Sequence, residues 1–114
     1  VTYIVDCDAS AQRSREFRNV SPCLTRSRYR GHWITTRQRR MRINEMFRLQ
    51  GMNPADFTVT IPEEELGRQI GNAMSVNVIE RILRNAILAS GILPITTLPD
   101  KWSDSTALHK LCSS

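Results

Sequence analysis

The feature that most constrains the fold of this chain is an amphipathic segment that runs from Ser75 to Ser90. Apolar side chains recur there at the period of an α-helix and form one stripe, while polar side chains fill the opposite side. The stripe consists of Val78, Ile79, Ile82, Leu83, Ala86 and Ile87. Ser75 is placed to cap the start of the helix, and Gly91 follows its end, where glycine is favoured. We expect this helix to bury its stripe in a core, against a sheet that this chain does not supply.

The other predicted elements are short. β-Branched and aromatic residues predict three strands, at residues 1–5, 33–36 and 57–61. A helix is expected over Ile43–Leu49, with Gly51 as its stop signal. Residues 9–19 are expected to form a loop and residues 21–25 an extended segment. Gly71-Asn72 is expected to break the apolar pattern that precedes it.

Positive charge is concentrated in the first half of the chain. Residues 1–50 contain eleven Arg and four acidic residues, a net charge of +7, so that residues 51–114 carry −2 of the total of +5. Clustered guanidinium groups favour a polyanionic partner, because each phosphate that they neutralise releases counterions. On charge alone, a solvated basic surface or a nuclear localisation patch at residues 37–42 explains the cluster equally well.

Cysteine and histidine usage excludes some classes of site. Three cysteines at irregular spacing (Cys7, Cys23 and Cys112) do not form a disulfide framework pattern, and together with two histidines they show no zinc-ligand spacing. We therefore expect a reducing compartment and no metal site. No apolar run approaches the ~18 residues needed to cross a bilayer. The chain begins at Val1 rather than Met, so we expect the numbering to begin inside a longer protein.

Two blocks of the sequence resemble conserved motifs of the DNA (cytosine-5) methyltransferases. Residues 39–52 spell R-R-M-R-I-N-E-M-F-R-L-Q-G-M and are similar to the ninth motif, an Arg followed by a short helix of the form R-E-x-x-R-L-Q-G-F-P. Residues 67–78 spell G-R-Q-I-G-N-A-M-S-V-N-V and are similar to the tenth motif, Q-I-G-N-A-V followed by a long helix. The order and short separation of the two blocks also match. Residues 20–28 look like the end of the family's target-recognition region, where a P-x-x-T segment precedes the ninth motif.

The chain also departs from the family pattern. Arg42 and Ile43 stand where the family often has Thr-Pro, so the ninth-motif helix needs another N-cap. The cofactor motif F-x-G-x-G, the P-C-Q nucleophile loop and the E-N-V and Q-x-R-x-R segments do not occur in this sequence. Pro22-Cys23 is not the nucleophile loop, because Leu24 follows it and because it lies just before the ninth motif. Cys23 is expected to be a buried or semi-buried thiol, and no catalytic residue is expected in this chain.

The resemblance implies an α/β fold that forms part of a Rossmann-like S-adenosylmethionine-dependent methyltransferase. Residues 1–38 would be the end of the recognition region, residues 39–92 would carry the two motifs and the long helix, and residues 93–114 would be a tail of unknown role. The implied activity is methyl transfer from S-adenosylmethionine to carbon 5 of cytosine in DNA. The chain would be the C-terminal portion of such an enzyme, either a fragment or the small subunit of a split one. In both cases the partner is the upstream catalytic half, and the isolated chain is expected to be inactive.

Family roles carry over to two sets of residues. In the family the tenth-motif turn closes over the cofactor, which implies that S-adenosylmethionine contacts Asn72, Ala73 and Met74. DNA contacts are expected from the segment before the ninth motif, because Arg forms bidentate hydrogen bonds with phosphate or guanine. The residues concerned are Thr25, Arg26, Ser27, Arg28 and Arg30. Arg39 and Glu45 carry the ninth-motif signature and are expected to be scaffold residues.

Two other functions fit the sequence. A non-enzymatic basic DNA-binding or adaptor module is the main alternative, in which Gly71-Asn72-Ala73 would be only a turn at the start of a helix. An RNA-modifying relative is the second. The expected location is intracellular: the nucleus if the source is eukaryotic, and the cytoplasm if it is bacterial or phage. There is no predicted membrane partner.

Overall fold

The structure, a computed structural model, describes residues 1–13, 15–92 and 99–113. These residues form strands and α-helices in a mixture that is compatible with the α/β class. The strands are β1 (Tyr3–Val5), β2 (Glu16–Arg18), β3 (Trp33–Ile34) and β4 (Arg39–Arg40). The helices are α1 (Ile43–Leu49), α2 (Glu63–Asn72), α3 (Val76–Ser90) and α4 (Thr106–Ser113). Two 3₁₀ turns lie at Arg26–Arg28 and Pro54–Asp56.

The strands form one antiparallel sheet in the order β2-β1-β3-β4. Ile4 in β1 lies opposite Phe17 in β2 and Ile34 in β3. Directly opposed residues share one face of a sheet, so these three side chains form an apolar row, in which Ile4 and Ile34 are buried. The prediction of a loop over residues 9–19 is therefore wrong at β2. A single apolar residue between charged neighbours suffices for a strand here, because Phe17 extends the row that β1 and β3 already form.

Two segments with extended sequence character do not join the sheet. Residues 21–25 and 57–61 lie outside its four strands. Phe57 instead stacks on Phe47 of α1, with ring centroids 5.0 Å apart, and the residues from Phe57 to Thr60 are exposed. The strand predicted at residues 57–61 is wrong because Phe57 packs on a helix, and among the described residues no strand lies beside this segment to offer backbone partners.

The core lies between the sheet and helices α1 and α2. From α1, Met46 and Phe47 are 1% and 4% exposed, and from α2, Ile70 is 3% exposed. These side chains pack with the apolar row of the sheet and with Met41. The prediction for α1 is confirmed, since the helix spans Ile43–Leu49 and buries the expected face.

Arg42 is the N-cap residue of α1, and Glu45 at the third helical position supplies the hydrogen bond of a capping box. Its carboxylate accepts a hydrogen bond from the backbone N–H of Arg42 at 2.8 Å. The same carboxylate accepts two hydrogen bonds from the Arg39 guanidinium, at 2.7 and 3.3 Å. The Arg39 hydrogen bonds lower the pKa of Glu45 below its ordinary value, although burial acts in the opposite direction. Since Arg39 belongs to β4, this ion pair joins the sheet to the start of α1.

Helix α2 continues through Gly71-Asn72, where the sequence predicts a break. Three glutamates occupy its first turn, where negative charge stabilises the positive end of the helix dipole. The chain leaves the helix at Ala73, whose backbone is extended (φ −72°, ψ 154°). The turn between α2 and α3 therefore lies at residues 73–75.

The two glycines of α2 serve a close approach of backbone rather than a turn. A Cβ atom on Gly67 would lie 2.3 Å from the carbonyl oxygen of Tyr29, and one on Gly71 would lie 2.2 Å from that of Thr25. Gly67 and Gly71 are one helical turn apart and lie on the same side of the helix. They form a groove that holds the backbone of residues 25–29, and any side chain in the groove would displace that segment.

Helix α3 spans Val76–Ser90 and ends at Gly91, whose φ of +74° is the left-handed conformation expected of a glycine stop. The stripe is not buried within the described part of the chain, where α3 has no buried residue, as expected if the sheet that covers it is not supplied by this chain. Val78, Ile82 and Leu83 are more than half exposed. The reason is that the apolar face of the small sheet is already covered by α1 and α2.

The end of the chain attaches to the polar side of α3. The carboxylate of Asp100 accepts two hydrogen bonds from Arg81, at 2.9 and 2.7 Å, and the indole N–H of Trp102 donates to Glu80 at 2.7 Å. Residues 93–98 of the predicted tail lie outside the described residues. Among the residues that are described, no helix combines the length and the hydrophobicity that a membrane span requires.

The glycine groove predicts an unusual result for Gly71→Ala. In an ordinary helix this change adds about 1 kcal/mol of helix propensity. Here we expect the free energy of unfolding to fall by about 2 kcal/mol or more, because the new methyl group overlaps the Thr25 carbonyl. Urea denaturation followed by circular dichroism measures the change, and Asn85→Ala on the exposed side of α3 serves as the control. A Gly71→Ala protein as stable as the wild type would contradict the groove.

The Arg39–Glu45 ion pair predicts a pH dependence of stability. Because folding lowers the pKa of Glu45, the pair stabilises the fold above the carboxylate's unfolded pKa, about 4.3, and this contribution is lost as the pH falls through the folded value. Glu45→Gln should therefore lower stability at pH 7 and flatten the loss of stability below pH ~4.3. Denaturation at a series of pH values measures this, with Glu16→Gln, an exposed residue of β2, as the control. Equal slopes for the wild type and Glu45→Gln would refute the assignment.

Candidate functional site

The two sets of residues singled out by the sequence meet at the C-terminal end of α2. The backbone of Thr25 lies against Gly71, and Asn72 is the next residue of the helix. The Arg-bearing segment at residues 25–30 therefore adjoins Asn72, the last residue of α2, and the turn that follows it, which contains Ala73 and Met74. The structure brings together two groups that are separated by more than forty positions in the sequence.

The turn after α2 presents its side chains to solvent. Asn72, Ala73 and Met74 are all exposed, and Met74 is 65% exposed. Ala73 lines a cleft of about 300 Å³ whose opposite wall is the segment from Ser21 to Leu24. This volume is at the lower limit of small-molecule sites, so the cleft has the size of one part of a site rather than of a whole one.

Hydrogen bonds of Gln50 fix the backbone around this turn. Its side chain is 6% exposed, and its Nε2 donates to the carbonyl oxygens of Ile70 at 2.8 Å and Ala73 at 3.2 Å. Its Oε1 accepts from the hydroxyl of Ser75 at 2.9 Å. The backbone carbonyl of Gln50 accepts from the N–H of Val76 at 2.7 Å. Sequence periodicity places Gln50 on the buried face of α1, but nothing in the sequence identifies these partners.

The candidate DNA-contact residues differ in the exposure of their side chains. Thr25, Arg26, Ser27 and Arg30 are exposed. The side chain of Arg28 is 24% exposed, and its Nε contacts both carboxylate oxygens of Asp6, at 2.8 and 2.9 Å. Arg28 therefore fastens the segment to the end of β1, and the exposed members of the set lie on either side of it.

Tyr29 organises the cations around the segment. The guanidinium of Arg68 lies 4.4 Å from the centre of its ring and that of Arg30 lies 5.5 Å away, both within the range of cation–π attraction. Arg68 also donates to Glu64 at 2.6 Å. Tyr29 thus links α2 to the segment by its ring as well as by its backbone contact with Gly67.

Other arginines of the basic half are structural. The Arg40 guanidinium donates to both oxygens of Asp8, at 2.8 and 3.0 Å, and to the carbonyl of Gly31 at 3.0 Å. The Arg40 hydrogen bonds lower the pKa of Asp8 despite its partial burial. Together with Arg28 and Arg39, Arg40 is thus held by a carboxylate. The exposed arginines of residues 26–48 are Arg26, Arg30, Arg37 and Arg42.

Cys23 is exposed, so the expectation of a buried or semi-buried thiol is wrong. Adjacent side chains of an extended segment point in opposite directions, and Leu24 takes the inward position against the core.

His32 is 1% exposed, with Nε2 3.2 Å from the carbonyl oxygen of Cys23, whereas Trp33 is 38% exposed. Within the described ranges, no three His, Cys, Asp or Glu residues are grouped so that they could hold a metal ion.

Comparison with known proteins identifies the family. A family model described as C-5 cytosine-specific DNA methylase matches residues 3–88. No curated protein and no solved structure matches the chain significantly. The matched range begins with β1 and extends through most of α3, so it includes both the Arg-bearing segment and the turn after α2. The family to which the two sequence blocks point is confirmed, and the chain belongs to the C-5 cytosine-specific DNA methylases.

Proposed function

We propose that this chain is the C-terminal portion of a DNA (cytosine-5) methyltransferase, with the ninth motif at residues 39–52 and the tenth at residues 67–78. The observation that carries the proposal is the meeting of an exposed Arg-bearing segment and an exposed turn at the end of α2. In this proposal the segment faces DNA and the turn faces the methyl donor. The reaction needs both ligands at one place, and α2 holds the two surfaces side by side.

The chain's share of the chemistry is binding and orientation. Methylation at carbon 5 requires attack of a cysteine thiolate at carbon 6 of a cytosine that has been extruded from the duplex. S-adenosylmethionine, when bound, supplies the methyl group. We assign the nucleophile to an upstream catalytic half, on a longer polypeptide or on a partner chain, because Cys23 lacks the Gln that follows the family's nucleophile. The isolated chain is then inactive.

Asn72, Ala73 and Met74 form one wall of the cofactor site in this proposal. Their exposure leaves them available to a ligand, and the cleft beside Ala73 has the volume of only part of a cofactor site, so the remainder would come from elsewhere. The exposed stripe of α3 supports the same arrangement, because a continuous apolar surface is stable in water only when another surface covers it. The covering surface would be the sheet of a Rossmann-like catalytic domain, which would complete the cleft.

Arg26 and Arg30, with the hydroxyl groups of Thr25 and Ser27, form the DNA-facing surface in this proposal. Arg28 has a different role, because Asp6 neutralises it and fixes its direction. Phosphate contacts set the position of a protein on the duplex, whereas contacts with base edges carry sequence information. The two free arginines suit either kind of contact, and the rigid backbone on α2 fixes their spacing.

Replacement of the free arginines should weaken DNA binding. We expect Arg26→Ala and Arg30→Ala each to lower the affinity for duplex DNA and to reduce the salt dependence of binding by about one phosphate contact. Fluorescence anisotropy over a range of salt concentrations measures both quantities. Arg13→Ala removes an exposed arginine outside the segment and is the matched control. If neither substitution in the segment alters affinity or salt dependence, this surface does not face DNA.

Replacement of Asn72 should weaken cofactor binding. In an active enzyme that contains this chain, we expect Asn72→Ala to raise the KM for S-adenosylmethionine about tenfold, since a lost contact of ordinary strength has this effect. The KM for DNA should stay within about twofold of the wild type. Initial-rate kinetics with each substrate varied in turn measure both. A KM for S-adenosylmethionine that is insensitive to Asn72→Ala would favour the DNA-binding adaptor instead.

A further inference from the structure

We propose that Gln50 is a positioning residue for the cofactor turn, an inference that rests on the proposed function of Asn72, Ala73 and Met74. One buried side chain in α1 would thereby set the backbone conformation of a turn that follows α2. This interaction would connect the two sequence blocks in space, since Gln50 lies in the block at residues 39–52 and the turn lies in the block at residues 67–78.

The end of α2 needs outside donors. The last carbonyl groups of a helix have no partner within it, and such groups must be hydrogen-bonded when they are buried. Nε2 of Gln50 donates to the carbonyls of Ile70 and Ala73, and a primary amide has two N–H bonds to give. The Ile70 carbonyl also accepts from the backbone N–H of Ala73, so Gln50 adds an outside hydrogen bond to the last helical turn and ties the residue that leaves the helix, Ala73, to the end of α1.

The orientation of the Gln50 amide follows from its partners. Both backbone carbonyls can only accept, so the NH₂ group must face them. The opposite atom, Oε1, is left to accept from the hydroxyl of Ser75. The two donations require an amide, because a carboxylate has no N–H to donate, whereas the hydrogen bond from Ser75 requires only an acceptor oxygen.

Gln50 and Gly51 also contact the first turn of α3. The carbonyl of Gln50 accepts from the N–H of Val76, at the start of the helix that Ser75 does not cap with its own side chain. Gly51 follows with φ +75°, and a Cβ atom there would lie 3.0 Å from the backbone nitrogen of Asn77. Gln50-Gly51 therefore contacts the chain both before and after the turn.

The hydrogen bonds of Gln50 lie on both sides of the candidate cofactor residues and leave the side chains of Asn72 and Met74 exposed. Gln50 donates hydrogen bonds to Ile70 and Ala73 and accepts them from Ser75 and Val76, while Asn72 and Met74 remain exposed between these residues. A turn that is held in one conformation before binding loses less conformational freedom when a ligand arrives. Gln50 would thus increase affinity for S-adenosylmethionine without touching it.

The test uses Gln50→Glu, which keeps the shape of the side chain and removes both N–H donors. Ser75→Ala removes only the hydrogen bond to Oε1 and tests the same network if Gln50→Glu fails to fold. Gln12→Glu makes the same chemical change at an exposed position outside both motifs and is the control. Amide hydrogen exchange over residues 71–77 is measured for each variant, and KM and kcat are measured in an active enzyme that contains the chain.

We expect faster exchange over residues 71–77 in Gln50→Glu and a KM for S-adenosylmethionine raised about tenfold, with a KM for DNA within about twofold of the wild type. Ser75→Ala should raise the KM for S-adenosylmethionine about threefold, and Gln12→Glu should resemble the wild type. Unchanged exchange overturns the inference. A lower kcat with an unchanged KM also overturns it, because that pattern is a loss of folded enzyme.

Comparison with Asn72→Ala separates this inference from the proposed function. If Asn72→Ala raises the KM for S-adenosylmethionine and the two network variants do not, the role of Gln50 is wrong and the proposed function stands. If none of the three variants changes this KM, the assignment of the turn to the cofactor fails, and the inference about Gln50 fails with it.

Discussion

The close contact between two stretches of backbone, at Gly67 and Gly71 of α2, is the constraint on which the rest of the structure depends. The carbonyl groups of Tyr29 and Thr25 occupy the space where Cβ atoms would lie. Backbone is far stiffer than side chains, so the segment at residues 25–29 and the helix behave as one body. Any shift of the helix would move the segment with it.

Three further interactions build on this contact. Arg28 binds Asp6 and so anchors the segment to β1, and the ring of Tyr29 receives Arg68 from α2. On the far side of the helix end, Gln50 fixes the turn that leads into α3. The segment, the helix and the turn therefore share one frame, in which the proposed DNA and cofactor contacts keep a constant separation.

The elements with strong local signals could be predicted from the sequence. Helices α1 and α3 follow from apolar periodicity and from glycines at their ends, and both spans agree with the structure. The strand β2 could not be predicted, because Phe17 stands alone among charged residues and acquires its role only from the strand beside it. Gly71-Asn72 has the composition of a turn, yet it is helical, since the groove rather than the local sequence requires the glycine.

The candidate site could be predicted only in part, and for a physical reason. The family resemblance points to residues 25–30 and 72–74. It does not show that Arg28 is held in an ion pair while Arg26 and Arg30 are exposed, because the ion-pair partner, Asp6, lies 22 positions away in the sequence. The partners of Gln50 lie 20 to 25 positions away. Interactions over such distances are set by packing, and no local pattern encodes them.

The central claim is that the turn after α2 forms one wall of an S-adenosylmethionine site. A structure of an active enzyme that contains this chain, determined with S-adenosylmethionine bound, tests that claim most directly. The account predicts that Asn72, Ala73 and Met74 contact the bound cofactor and that the stripe of α3 is covered by the catalytic sheet. A cofactor bound elsewhere, with this turn in solvent, would contradict it.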